Sequence, residues 1–334
     1  MRRMGTMMPE VTRDPAVAVA RLRAATRVLV TSHMSPDGDA LGSALAFAEL
    51  ARALGIEATV ASHDPAPASL AFLPGAAQVA VTPELPAAWE HRFDLVAVLE
   101  CPGLDRPGFA GLDRVPILNI DHHLANTGYG AVNFVDENAP AVGEMVLAMA
   151  ETAGVRVSPS MATNLYVALV TDTGDFRYSN ATPRAFAAAA RLVAAGAKPH
   201  AIAESLSEHN PVRVVRLTAA VLATLELLAD GRVAVITCDS AMLAASGAGP
   251  EDTESLINIP RAIEGVHVAV FFKAFCPGSV RVSLRSRDDI DVQAVASLFG
   301  GGGHRNAAGC TVTADMSEAR QQVLASVLVA LGAA

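Results

Sequence analysis

The chain has 334 residues, of which 51% are apolar and 18% charged. This length suits two compact domains, and the composition can fill a sizeable core and excludes a disordered chain. A net charge of −9 with no long basic run excludes a protein that tracks long duplex nucleic acid, which needs a cationic stripe against the phosphates.

The four cysteines (Cys101, Cys238, Cys276, Cys310) are scattered without a CxxC pair, which argues against a disulfide framework or a structural zinc and fits a reducing compartment. The opening MRRMGTMMPE is not followed by an apolar stretch, so it does not read as a secretory signal, and no run reaches the roughly 18 apolar residues of a membrane span. A soluble, cytoplasmic protein is expected.

In chain order, residues 14–26 read as a helix and 27–32 (RVLVTS) as a short apolar strand. The turn HMSPDGD leads into a helix, ALGSALAFAELARALG, that stops near Gly55. Strands follow at 57–62, 94–99 and 115–120, the second and third of them beyond a proline-rich stretch at 65–87. Helices are expected at about 141–154, 160–171 and 182–195. Aliphatic strands alternating with alanine-rich helices predict an α/β fold with a parallel sheet and flanking helices. The stretch from Lys198 to Leu228 is helical but broken by Pro211, and reads as a connector. From Arg232 the pattern changes to VAVITC, VHVAVFFKAF and SVRVSLRS, strands of period two with hairpin-like spacing, before a last helix near Met316. The expected division is 1–198, a connector at 199–230, and a smaller α+β domain at 231–334.

Ligands of open parallel sheets bind beyond the carboxyl ends of the strands. Here the first strand runs into His33, Asp37 and Asp39, the third into Glu100, and the fourth into Asp121, His122 and His123; the helix NLYVALV runs into Asp172. Asp39 alone also suits a helix N-cap. Asp37, Asp39, Glu100 and Asp172 together carry about four negative charges, which two divalent cations balance. With two imidazoles this oxygen and nitrogen set suits manganese, with magnesium, cobalt or zinc as alternatives. Two such ions about 3.5–4 Å apart serve phosphoryl transfer by an activated hydroxide.

HMSPDGDALGS, NIDHHLANTGYG and TDTGDFRYS resemble successive signature motifs of the DHH phosphoesterase superfamily, and FGGGGHRNAAG resembles the glycine-rich motif of the DHH-associated domain. Order and spacing resemble the bacterial nanoRNase/pAp-phosphatase branch over about residues 14–330, with RecJ exonucleases and family II pyrophosphatases more distant. The resemblance implies one metal held by His33, Asp37 and Glu100, and a second by Asp39, His122 and Asp172, with Glu100 bridging. Asp121 is then the residue that orients an imidazole, and His123 faces the substrate phosphate. The chain departs from the family at Glu100, where the usual residue is Asp, one methylene shorter.

In the second domain the resemblance gives Gly302, Gly303 and His304 a substrate phosphate, Arg285 a further phosphate contact, and Asn306 a sugar or base. Read alone, the glycine run also suits a flexible turn, and Arg285 a solvated strand position. The expected activity is metal-dependent hydrolysis of short oligoribonucleotides (nanoRNA) or of pAp to nucleoside monophosphates. The alternatives are a phosphodiesterase for linear or cyclic dinucleotides (pApA, pGpG, c-di-AMP) and, in another class, a catalytically impaired nucleotide-binding regulator. The apolar helices of the first domain fit a homodimer.

Overall fold

A computed structural model of the protein describes residues 10–208, 211–287 and 289–332, without the side chains of Glu10, Ser207, Glu208 and His304. The opening MRRMGTMMPE, expected not to be a secretory signal, therefore lies mostly outside the described residues. The chain divides into two compact units, 1–209 and 210–334.

The first unit is built from β1 (Glu10–Thr12), α1 (Pro15–Arg23), β2 (Arg27–Thr31), α2 (Gly38–Ala53), β3 (Glu57–Ser62), β4 (Ala80–Val81), β5 (Leu95–Leu99), β6 (Ile117–Asp121), β7 (Val132–Val135), α3 (Val142–Thr152), α4 (Pro159–Asp172), α5 (Pro183–Ala194) and α6 (Pro199–Ala203). Its strands form a seven-stranded sheet in the order β1-β7-β6-β5-β2-β3-β4, all pairs parallel. The order reverses at β2, which lies between β3 on one side and β5 on the other. That switch point leaves room for a ligand beyond the strand ends.

Alternation along β5 shows how the sheet is covered. Leu95, Ala97 and Leu99 pack with α1 to α5, whereas Val96 and Val98 pack on the other face with Trp89, Phe109 and Leu112 from irregular segments. Helix α2 is buried almost all round, pressed between the sheet and α3 and α4. Gly42 makes this possible: a Cβ there would stand 2.4 Å from the Asn164 carbonyl oxygen of α4.

The second unit contains α7 (Val212–Leu222), β8 (Glu226–Leu228), β9 (Val233–Asp239), α8 (Ser240–Ser246), α9 (Asn258–Arg261), β10 (Val268–Cys276), β11 (Ser279–Ser286), α10 (Val292–Ser297), β12 (Gly302–His304), β13 (Ala307–Val312) and α11 (Met316–Gly332). Its sheet runs β12-β13-β11-β10-β9-β8 and is mixed. The stretch expected as a connector is shared out: α6 lies in the first unit, and α7 packs Leu217 and Val221 against Ile236 and Phe271. Hairpin spacing holds for β10 and β11, which are antiparallel around Pro277 and Gly278. It fails for β9 and β10, which are parallel because the intervening segment carries α8 and α9. The glycine run is likewise no free turn. Gly302 to His304 form the edge strand β12, paired with β13. Gly303 has φ +138° and its missing Cβ would meet the Ala307 carbonyl oxygen at 2.4 Å, so only glycine fits. Among the described residues no helix is long and apolar enough to cross a membrane.

Candidate metal centre

The carboxyl ends of β2, β5 and β6 are neighbours at the switch point, and the end of α4 joins them through its packing on α2. Donor atoms of His33, Asp37 and Glu100 fall within 4.8 Å of one another, as do those of Asp39, His122 and Asp172, and those of Glu100, His122 and His123. Glu100 lies at the middle. One of its carboxylate oxygens is 2.8 Å from His33 Nε2, and the other is 3.6 Å from the Nε2 atoms of both His122 and His123. The extra methylene therefore does not keep the carboxylate out of the cluster. The residue adopts φ +59°, a left-handed backbone that a glutamate rarely takes, at the point where the chain leaves β5. Ser35 (φ +53°), Asp175 (φ +57°) and Phe176 (φ +59°) do the same in the turns after His33 and Asp172.

Each imidazole is aimed by its other nitrogen. His33 Nδ1 donates to the Met34 carbonyl oxygen at 2.8 Å and His122 Nδ1 to that of Ala139 at 3.0 Å, which leaves both Nε2 atoms facing the acids. His123 Nδ1 donates to Asp121 Oδ1 at 2.8 Å. Asp121 is fully buried, and its second oxygen accepts from Asn126 Nδ2 at 2.6 Å. Asn126 in turn accepts from Asn119 at 2.9 Å.

The two acids after β2 have separate duties. Asp37, not Asp39, is the N-cap of α2, accepting from the Ala40 amide. Asp39 lies in the first turn, 1% exposed, and accepts from the amides of Val142 (2.7 Å) and Gly143 (2.9 Å) and from the Ser43 hydroxyl (2.6 Å). It thus caps α3, whose own N-cap, Ala141, has no polar side chain. Asp172 ends α4 and accepts from Asn180 Nδ2 at 3.2 Å.

The electrostatics show acids crowded beyond what the imidazoles balance. Burial, and then the charge of Asp172, push Asp39 up to about 8. Burial also pushes Asp172 up to about 6, with His122 opposing and Glu100 and Asp37 adding to the rise. For His33 and His122 burial works downward but is outweighed by Glu100 and the other acids, which lift them to about 9 and about 10. Glu100 is itself desolvated, yet hydrogen bonds from His122 and His33 hold it far below the usual carboxylate range. Converging oxygens and nitrogens that must keep protons to coexist are what a divalent cation relieves, and no thiolate is among them. The donor set fits metal.

In the second unit a cavity of about 490 Å³ is lined by Arg285, Gly302 and Ser283 among others. Gly303 and Asn306 are not on that lining; Asn306 donates to the Ser286 hydroxyl at 2.9 Å. The His304 side chain lies outside the described residues. Asn126 and Asn180 went unnoticed in the sequence. Asn126 stands inside the NIDHHLANTGYG motif, so its place was the available signal; Asn180 had none.

Residues 27–169 match the DHH family, N-terminal domain, and residues 230–330 match the DHHA1 domain. The chain is 33% identical over 303 residues to the bifunctional oligoribonuclease and PAP phosphatase NrnA of Thermus thermophilus, covering 90% of this chain and 89% of that one. It is 27% identical over 294 residues to the probable bifunctional oligoribonuclease and PAP phosphatase NrnA of Streptococcus mutans, covering 87% and 91%. The fold is shared with an exopolyphosphatase-related protein from Bacteroides fragilis (TM-score 0.86, 22% identity, 95% and 96% covered). It is shared more loosely with RecJ in complex with Mn2+ from Thermus thermophilus (TM-score 0.55, 16% identity, 96% and 55% covered). The chain belongs to the DHH family, with a DHHA1 domain after its DHH domain.

Proposed function

We propose that the protein is a metal-dependent phosphoric ester hydrolase that cleaves short oligoribonucleotides, and pAp, to nucleoside monophosphates. The observation that carries this reading is the pair of donor triplets that share one edge of the first sheet and meet at Glu100. The named activities of the Thermus and Streptococcus relatives support it.

In this reading His33, Asp37 and Glu100 would hold one divalent cation and Asp39, His122 and Asp172 the other; manganese suits the donors best, with magnesium, cobalt or zinc as alternatives. Two such cations supply, when bound, positive charge against the phosphoryl oxygens and acidity for the attacking water. The side chains do the rest. Asp121 holds the Nδ1 proton of His123, so that Nε2 faces the cluster and can give a proton to the oxygen that leaves phosphorus. Asp39 is fixed by two amides and Ser43, which keeps its carboxylate from turning away. In the second unit Arg285 and the Gly302 edge bind a substrate phosphate, the guanidinium fork suiting two oxygens. A cavity of this size and the absence of a basic run favour a few nucleotides over a long strand. The place of action is the cytoplasm, and a homodimer is part of the reading, checked by light scattering.

The test is hydrolysis of a labelled diribonucleotide, a 20-mer and pAp by the purified protein with Mn2+ and after chelation. Faster release from the dinucleotide than from the 20-mer, lost on chelation, is expected. Tight nucleotide binding without turnover at any metal concentration would replace the hydrolase with the regulator.

A further inference from the structure

One row of residues crosses the carboxyl edge of the first sheet, and three of its four members have a part in the proposed chemistry. Register pairs Leu99 of β5 with Ile120 of β6, and Thr31 of β2 with Val98 of β5, so Asp121, Glu100 and His33 stand level at the ends of three neighbouring strands. It also pairs Val30 with Val60 of β3. His63 therefore comes level with His33, one strand spacing of about 4.8 Å further along the edge. It belongs to none of the three donor groups. Its Nδ1 donates to Asp64 Oδ1 at 2.8 Å, and its ring packs on Gly108, where a Cβ would come within 3.0 Å of His63 Cδ2.

Asp64 gives its second oxygen to the turn between His33 and Asp37. Oδ2 accepts from the Ser35 amide at 2.8 Å and from the Ser35 hydroxyl at 3.3 Å. The Asp64 carbonyl oxygen accepts from the Ser62 hydroxyl at 2.7 Å, which ties the acid to the end of β3. Hydrogen bonds from His63 and the Ser35 amide hold the Asp64 carboxyl below its ordinary range, as suits a charged acceptor. Ser35 has φ +53°, a left-handed backbone that a serine keeps only where its surroundings impose it. The residue before it is pinned as well, the Met34 amide donating to the Arg106 carbonyl oxygen at 2.9 Å. With side chains 28% and 34% exposed, His63 and Asp64 add little to global stability as an ion pair. Their effect is local, on one turn.

We infer that His63 and Asp64 are a positioning pair for the turn that carries His33 and Asp37. His63 orients the Asp64 carboxylate, and Asp64 holds Ser35 in its left-handed conformation. The turn then sets His33 Nε2 and Asp37 Oδ1 3.9 Å apart, within reach of a single divalent cation. The other donor group is supported from elsewhere. Asp39 is held by the amides of Val142 and Gly143, His122 by the Ala139 carbonyl oxygen, and Asp172 by Asn180. Loss of the pair therefore weakens one cation of the two and spares its neighbour. This rests on the reading that both donor groups hold metal.

The test is calorimetric titration of Mn2+ into the chelated full-length protein at one pH. The unaltered protein is expected to bind two ions. Asp37→Asn marks the site in question, because it removes the charge of one donor while keeping a cap for α2. Asp64→Ala should weaken that same ion about tenfold or more and leave the other within about twofold. The double variant of Asp37→Asn and Asp64→Ala should then hold its remaining ion as Asp37→Asn alone does. Ser35→Gly, which takes a left-handed backbone without help, should restore most of the affinity lost in Asp64→Ala. Equal weakening of both ions, no weakening, or no recovery with Ser35→Gly overturns the pair and leaves the metal centre standing. Should Asp64→Ala fail to fold, the milder His63→Ala is expected to weaken the same ion about threefold, and an unchanged affinity overturns the pair. Should the unaltered protein bind no Mn2+, the metal reading falls and the pair falls with it.

Discussion

Glu100 Oε2 lies 2.8 Å from His33 Nε2, while its other oxygen faces His122 and His123, so one carboxylate ties together three imidazoles from two strand ends. Neutralising it should dismantle the proposed centre. Glu100→Gln is expected to lower bound manganese to background and activity by at least about 100-fold, beyond the 10–100-fold typical of residues that only support a ligand. Glu100→Asp shortens the reach to His33 and should weaken metal affinity about tenfold while keeping turnover. Metal content by mass spectrometry on the two purified variants checks this; a Gln variant with full metal would remove Glu100 from the centre.

Metal binding should tighten as pH rises. With no metal, His33 titrates at about 9, His122 at about 10 and Asp39 at about 8, and each must release its proton before it can serve as a ligand. Manganese titrations at pH 6, 7.5 and 9 are expected to show progressively stronger binding and release of protons. Stability of the metal-free protein runs the other way. All three groups hold protons more tightly folded than unfolded, so the folded state loses ground as pH climbs, from about 4 to 8 through Asp39 and from about 6.5 to 10 through the two histidines. Melting temperatures of the chelated protein that rise over that range would contradict the assignment.

Asn126 is predicted to matter to rate more than to binding. It donates at 2.6 Å to Asp121, which holds His123. Asn126→Ala should cut kcat about 10–100-fold with KM changed only a few-fold. Steady-state kinetics on a dinucleotide separates this from a general loss of fold, which would reduce the amount of active protein without altering KM or the pH profile of what is left.

Arg184 joins Asp136 to Glu144, each at 2.5 Å, and both acids are nearly buried. Burial raises Asp136, but the hydrogen bonds from Arg184 and the Asn138 amide and the charges of Arg184 and Arg13 together outweigh it and leave the carboxyl below its ordinary range. Arg184→Met takes the cation from Glu144 and leaves Asp136 only Arg13 at 3.7 Å, and should cost about 2–3 kcal/mol in urea unfolding, less than a fully buried pair because the arginine is partly solvated. Since Asp136 binds its proton more weakly when folded, the bridge contributes fully above about pH 4 and its contribution fades below that; a variant penalty that persists unchanged at pH 3 would refute the ionic account.

The order of elements in the first unit was legible because aliphatic strands and alanine-rich helices have different periods, and the proposed ligands because each stands at a strand or helix end. What escaped was whatever periodicity cannot register. β7 is four residues long with a central Asn133, and β1 and β4 are shorter still. Asp39 suited an N-cap in sequence, yet Asp37 takes that place on α2 while Asp39 accepts from the amides that open α3, about a hundred residues later, a contact no local pattern carries. The glycine run looked like a turn because nothing in its own sequence reveals that β13 lies beside it. Asn180 approaches Asp172 through a turn whose left-handed residues, Asp175 and Phe176, no propensity would suggest.

The six proposed ligands are scattered from residue 33 to residue 172, on the ends of β2, β5, β6 and α4 and in the first turn of α2. No fragment that lacks any part of the stretch from residue 33 to residue 172 holds all of them, so a cation bound there would act as a staple across segments that the fold brings together. Ligand present at a thousand times its dissociation constant adds about 4 kcal/mol to folding. Starvation for divalent ions would then do more than silence turnover: it would loosen the first unit and expose the chain to proteolysis.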